Sequence, residues 1–304
     1  MKTSEKVAEV VATCERYGTT SIIALSGPPG SGKSHVALLA AQAIARLPTR
    51  VREIQFHQSY SYEEFIEGLR IAADGSVRPE KGVFLRINED AEADKFPDHR
   101  YVLLIEEFTR ANLSSVLGEI LTYVEHRSRA FETMFSRTSV QVAGNLVLLT
   151  TFNPTDRSAV NIDDALLRRM RIIDFLPDAD QLEEMLGGRA MPLHVLRKLG
   201  DIFRKCESEH KELYASRMPF GHGVFSEIYE EGDLHSLWHQ RIQRMLYRPG
   251  QDPHEFAETI ELAYPWAKSD KYVLPSPVEA APASNDEGLP PSLDGAVDNP
   301  EQAG

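Results

Sequence analysis

Gly27-Pro28-Pro29-Gly30-Ser31-Gly32-Lys33-Ser34 stands directly after the apolar run 21–25 and directly before a stretch with helical spacing. A glycine-rich turn between a strand and a helix lets successive backbone N–H groups converge on one concavity, and the positive end of the helix favours an anion there. Lys33 then has the reach to meet the outer phosphates of a nucleotide, and the Ser34 hydroxyl can ligate Mg²⁺. A chance glycine-rich turn is the bland alternative, but the whole pattern is matched and correctly flanked. The eight residues, with His35 after them, form the candidate nucleotide-binding set. Val36, Ala37, Ala40, Ala41 and Ile44 continue at the spacing of a helix packed on a sheet.

Working outward, four further apolar runs of strand length occur at 51–56, 101–105, 146–151 and 171–175, with helical patterns between them. That alternation predicts an α/β fold with a five-stranded parallel sheet covered on both faces. Asn112 is placed to cap a helix whose stripe is Leu113, Val116, Leu117, Ile120, Leu121 and Val124. Beyond Pro177 the strand signals stop. Pro192 opens one helical pattern and Asp233 is placed to cap another, so a small all-helical domain is expected. The predicted organisation is an N-terminal helix over 1–20, an α/β core over 21–177, a helical domain over 178–268 and a tail over 269–304. The tail is rich in Pro, Ala, Ser, Asp and Glu, and such a composition reads as disordered.

The chain has 304 residues and a formal charge of −13. Seven acids lie in 269–304 against Lys271 alone, which leaves about −7 elsewhere and no basic footprint for autonomous nucleic-acid binding. The two cysteines, Cys14 and Cys206, show neither disulfide nor zinc spacing. No apolar stretch approaches membrane length and the start does not read as a signal peptide, so no membrane partner and a cytoplasmic location are expected.

The strand Tyr101-Val102-Leu103-Leu104-Ile105 ends in Glu106-Glu107. In open α/β sheets the carboxyl ends of strands face the ligand crevice, so these acids are placed to hold Mg²⁺ and to polarise an attacking water. A solvated strand end is the competing reading. Asn153 ends the next apolar strand at the same rim, where it can orient water or touch the terminal phosphate. Arg168-Arg169 closes a helix before the last strand. An arginine fork matches phosphate oxygens, whereas a helix C-terminus also welcomes cations, and both readings stand.

Together these features resemble the AAA+ NTPase module with a helical lid, over roughly residues 22–266. Within it they are similar to the McrB-type group, the GTP-dependent motor subunit of modified-cytosine restriction systems. The resemblance is carried by Phe56-His57-Gln58-Ser59-Tyr60-Ser61-Tyr62-Glu63-Glu64-Phe65-Ile66-Glu67-Gly68, Arg110-Ala111-Asn112, Asn153-Pro154-Thr155-Asp156-Arg157-Ser158, the segment 163–170 and Gly221-His222-Gly223-Val224-Phe225. It implies that Lys33 and Ser34 bind phosphate and metal, Glu106 joins Ser34 at Mg²⁺, Glu107 polarises water and Asn153 acts as sensor. Arg157 and Arg169 become the charge stabilisers, at least one across a subunit boundary, with Arg168 as second choice. It further implies a homo-oligomeric ring, expected to be hexameric, with a separate nuclease or effector subunit and DNA contact only through the assembly or a partner.

Five positions depart from that pattern: Glu106 where Asp is usual, Pro154-Thr155 in a form similar to MoxR-like relatives, and Leu167 and Met170 where Arg and Phe are usual. The expected nucleotide is ATP, with GTP as the alternative, since no Asn-Lys-x-Asp guanine-reading motif is present. The expected function is an NTPase that remodels or translocates. The rivals are a nucleotide-holding assembly subunit with weak hydrolysis and a MoxR-like chaperone. Two smaller features stay open: His235 and His239 have i, i+4 zinc spacing but read better as a solvated helix face, and His126, Arg127 and Arg129 face either a pore or plain solvent.

Overall fold

The computed structural model describes residues 3–96, 98–154, 162–189, 191–208, 219–250 and 252–269. Helix α1 (Thr3–Tyr17) leads into β1 (Ile22–Ser26), and the glycine-rich loop joins β1 to α2 (Lys33–Ala45). Then come β2 (Val51–Gln55), the short α3 (Tyr62–Phe65), a hairpin of β3 (Glu67–Ile71) and β4 (Val77–Lys81), and α4 (Val83–Ala93). Strand β5 (Tyr101–Glu106) is followed by α5 (Leu113–Leu117), α6 (Ile120–Tyr123) and a second small hairpin, β6 (Phe131–Glu132) with β7 (Ser139–Val140). Strand β8 (Leu146–Phe152), α7 (Asp164–Leu167) and β9 (Met170–Asp174) complete the α/β part. The helical part comprises α8 (Ala179–Leu186), α9 (Leu193–Ser208), α10 (Asp233–Leu237), α11 (Gln243–Leu246) and α12 (Ala257–Ala263).

The five expected strands form one sheet in the order β2-β5-β8-β1-β9, every neighbouring pair parallel. Side chains alternate between its faces, as a period of two requires. Leu103 and Ile105 join the core on one face, with residues of α4 and α5. Val102 and Leu104 join the other, with Val10 and Cys14 of α1 and Val36, Ala37 and Ala40 of α2. Small alanines on α2 let that helix lie close to the sheet, which fixes where its N-terminus points. The helical part buries a core of its own around Leu182, Leu199, Phe203, Trp238, Tyr264 and Trp266. Among the described residues no helix is long and apolar enough to cross a membrane.

Four sequence expectations need correction or lie out of reach. The helix capped by Asn112, whose side chain accepts from Ser115 N–H at 3.3 Å, does not run on. It breaks at Gly118, where φ is +47°, and resumes as α6. A Cβ there would stand 2.8 Å from the Tyr62 ring, so glycine lets the chain bend beneath that aromatic. Asp233 is not an N-cap, a place taken by Gly232; its carboxylate instead accepts the N–H groups of Tyr229 and Glu230 at 2.9 and 3.1 Å. Arg127 faces no pore. It is half-buried and donates to the carbonyls of Ala143, Leu146 and Gly18, and desolvation lowers its pKa to about 10. The expected tail falls outside the described residues from 270 onward.

Candidate active site

The loop's geometry is set by two glycines. Gly30 and Gly32 have φ of +75° and +87°, a left-handed backbone that L side chains rarely adopt. Gly32 is the N-cap of α2 and Lys33 opens the helix. The Lys33 ammonium folds back over its own loop, donating to Gly27 O at 2.8 Å and Pro28 O at 2.9 Å. Burial lowers its pKa to about 8, with Glu107 and Glu106 pulling the other way. The two carboxylates thus oppose the effect of burial and favour the charged ammonium.

The register Ile105↔Thr150 sets the end of β5 beside the end of β8, and β8 in turn pairs with β1 through Phe152↔Ser26. Three strand ends thus meet at the loop. Ser34 Oγ donates to Glu106 Oε2 at 2.9 Å, and the Thr151 hydroxyl donates to the same oxygen. A hydroxyl and a carboxylate side by side are the hard oxygen donors that Mg²⁺ takes.

Glu107 leaves the strand in a left-handed conformation, φ +53° and ψ +42°. For a non-glycine residue this costs about 1–2 kcal/mol, and such strain gathers at working sites. Its carboxylate accepts from Arg110 Nε at 2.9 Å. Asn153 is the first residue after β8, and the bond from Gly27 N–H to Phe152 O, at 3.3 Å, holds that strand end against the start of the loop. His35, in the first turn of α2, is exposed.

The arginines separate. Arg157 lies outside the described residues. Arg169 is only 6% exposed; its Nε is 3.0 Å from Glu125 Oε2, an ion pair without hydrogen-bond alignment, and its Nη1 donates to Ala165 O at 2.6 Å. Arg168 is exposed, with 3.6 Å to the same Glu125 carboxylate. The arginine expected to act on a neighbour is thus the one tied into its own fold, and the second choice is the one facing outward.

Two contributions escaped the sequence reading of the site. Thr151 was legible only as a polar residue ending an apolar strand. The other is Gly221-His222-Gly223, which looked like a lid motif with no assigned contact. It lies on the loop: Gly221 N–H donates to Pro29 O at 2.8 Å and Gly223 N–H to Gly30 O at 2.7 Å. Beside Ser31 opens a cavity of about 450 Å³, bounded by Lys6, Asp174, Pro177, Gln181 and Arg204 among others. His235 does not lie on a plainly solvated helix face: it is half-buried and its Nδ1 is 2.8 Å from Trp266 O. No group of three or more His, Cys, Asp or Glu that could hold a metal occurs among the described residues.

Residues 22–170 match the family model of the AAA domain, dynein-related subfamily. That span runs from the first residue of β1 to the first of β9 and takes in the loop, both acids, Asn153 and the arginine pair. The chain is also 33% identical over 225 residues to the type IV methyl-directed restriction enzyme EcoKMcrB subunit of Escherichia coli (strain K12), covering 69% of this chain and 48% of that one. This chain belongs to the AAA+ family, in its McrB-type branch. The AAA+ chain spans about half the length of the curated relative it matches. A solved structure of a candidate ATPase from Cytophaga hutchinsonii ATCC 33406 aligns with 60% of this AAA+ chain and 53% of its own, at 19% identity and a TM-score of 0.38. Nucleotide and Mg²⁺ use are general to the AAA+ family.

Proposed function

We propose that this AAA+ chain hydrolyses ATP, with GTP as the alternative, in a homo-oligomeric ring that works on a nucleic-acid or protein substrate. The observation that carries this reading is the meeting of Lys33, the Ser34–Glu106 pair and Glu107 at the ends of β1 and β5. Lys33 would hold the outer phosphates, Ser34 and Glu106 the Mg²⁺, Glu107 the attacking water and Asn153 the terminal phosphate. The cavity beside Ser31 is of a size to take the base and sugar. For the charge stabiliser acting between subunits, exposure favours Arg168 over Arg169, the reverse of the sequence expectation; Arg157 keeps its candidacy. The separate cores support a division near 177/178 into an α/β domain and a helical lid.

We further propose that it works in the cytoplasm, as a six-membered ring, beside a nuclease or effector subunit; the likeness to a subunit of a restriction enzyme supports the last of these. One observation favours the assembly-subunit reading: Glu107 Oε2 accepts from Arg110, which makes that carboxylate a weaker base toward water. Phosphate release from ATP and from GTP, each with Mg²⁺ and at several protein concentrations, tests both. Turnover that climbs steeply with concentration supports the ring enzyme. Tight binding without release supports the assembly subunit, and no binding overturns both.

A further inference from the structure

The helical part carries two histidines that the nucleotide site does not use. His235 lies in α10, and His239 lies in a π turn, Trp238–Ile242, that joins α10 to α11. Their imidazole rings meet, with centroids 4.5 Å apart and planes at 70°. Single π turns within an α-helix are rare and gather at functional sites.

The partners of the two rings fix their tautomers. His235 Nδ1 is 2.8 Å from Trp266 O, and His239 Nδ1 is 3.1 Å from Gln243 Oε1. Both partners are carbonyl oxygens, which accept and cannot donate, so each Nδ1 holds a hydrogen and donates it. In the neutral ring the other nitrogen is then a bare lone pair. Among the described residues neither Nε2 has a hydrogen-bond partner. Two lone pairs thus stand on one helix, each ring braced from behind by a carbonyl. A metal-binding histidine is set up in this way: its second nitrogen donates to a carbonyl or carboxylate, which orients the ring and raises its basicity.

The separation agrees. A Zn–N bond of about 2.0–2.1 Å sets the metal about 3.2 Å from a ring centroid, so two rings bound about 90–110° apart have centroids about 4.5–5.2 Å apart. The observed 4.5 Å meets the lower end of that range. Simple ring packing accounts for the distance, but it does not require both rings to keep the same nitrogen free. His239 is exposed and His235 half-buried, so water has access to the pair. We propose that His235 and His239 form a binding site for a divalent transition-metal ion such as Zn²⁺, ligated through both Nε2 atoms with water in the remaining positions. Imidazole favours such ions over Mg²⁺ and Ca²⁺, so the site differs in chemistry from Ser34 and Glu106. A bound ion would lock the π turn and, through His235, the turn at Pro265–Ala267.

The test is titration calorimetry of the full chain with ZnCl₂ in excess Mg²⁺, which occupies oxygen donors. Wild type is compared with His239→Gln, Gln243→Leu and Gln243→Glu. Wild type is expected to bind zinc through this pair with a Kd on the order of 10 µM, since it offers half the ligands of a closed structural site. His239→Gln replaces an exposed side chain, which leaves the packing alone, and should weaken binding at least about tenfold. Gln243→Leu removes the acceptor behind His239 and should cost about tenfold as well. Gln243→Glu keeps that acceptor and should bind at least as tightly as wild type, a rescue that a merely structural Gln243 does not give. In imidazole ¹⁵N spectra of wild type, the Nε2 resonance that is missing from His239→Gln should shift on adding zinc while Nδ1 keeps its proton. Wild type that binds no zinc, or equal affinity in wild type and His239→Gln, overturns the proposal. So does an Nε2 resonance of His239 that ignores the metal.

Discussion

Gly221→Ala adds one methyl group and isolates the contact between the helical part and the loop. The backbone at Gly221, φ −96° and ψ −178°, is open to any L residue, so the substitution carries no conformational penalty of its own. The objection is space. The new Cβ would stand 2.4 Å from Gly30 O and 2.5 Å from Ser31 Cα, and both are backbone atoms that cannot swing aside. Restoring ordinary contact needs a retreat of about 1 Å, which carries the two hydrogen bonds past bonding distance. Each such bond contributes about 0.5–1.5 kcal/mol net, so their joint loss costs about 1–3 kcal/mol. For a unit of this size a melting temperature falls about 2–4 °C per kcal/mol, giving a drop of roughly 2–12 °C. The assay is thermal unfolding followed by circular dichroism, with Gly144→Ala as control because a Cβ there meets nothing within 4 Å. A Gly221→Ala protein that melts together with the control refutes the reasoning, since the segment would then not be held on the loop.

Other predictions follow from the same geometry. Lys33 must be an ammonium to hold phosphate and its pKa is lowered to about 8, so raising pH from 7 to 9 removes its charge; ADP affinity should fall about tenfold over that range, where an unperturbed lysine would leave it flat. Lys33→Arg, charged throughout, should flatten the profile, and a flat wild-type profile refutes the shift. Glu107→Gln should retain nucleotide affinity while phosphate release drops about 100-fold or more, and unchanged turnover removes Glu107 from its assigned role. Arg168→Ala should slow hydrolysis without moving the melting temperature, because an exposed ion pair contributes at most about 1 kcal/mol. Mixing it with Glu107→Gln should restore turnover if the arginine acts across a subunit boundary. Arg169→Ala should instead lower stability by about 1–3 kcal/mol, since it strips a buried side chain from Ala165 O and from Glu125.

The two hairpins went unread, for different reasons. Between β3 and β4 the turn signal Asp74-Gly75 was present, and Gly75 has φ of +80°, yet Leu69, Ile71 and Val77 are exposed, so no buried face announced the strands. Strands β6 and β7 have two residues each, too short for any period to appear. They are positioned by contacts from elsewhere: the buried Glu67 carboxylate accepts the N–H groups of Phe135 and Ser136 at 2.6 and 2.9 Å. The break at Gly118 was hidden because the apolar stripe continues on both sides of it.

The sequence by itself determined the five sheet strands, the loop between β1 and α2, and the acids at the end of β5. Each of these is a local matter, since apolar runs of strand length, left-handed glycines and a strand-to-helix turn are written in consecutive residues. Only the tertiary structure decided which arginine of the pair is buried, that Thr151 shares the Glu106 oxygen with Ser34, and that His222 rests on the loop. Those contacts join residues 45, 72 and about 190 positions apart. Their existence depends on strand order and on how the helical part meets the sheet, which no local period encodes.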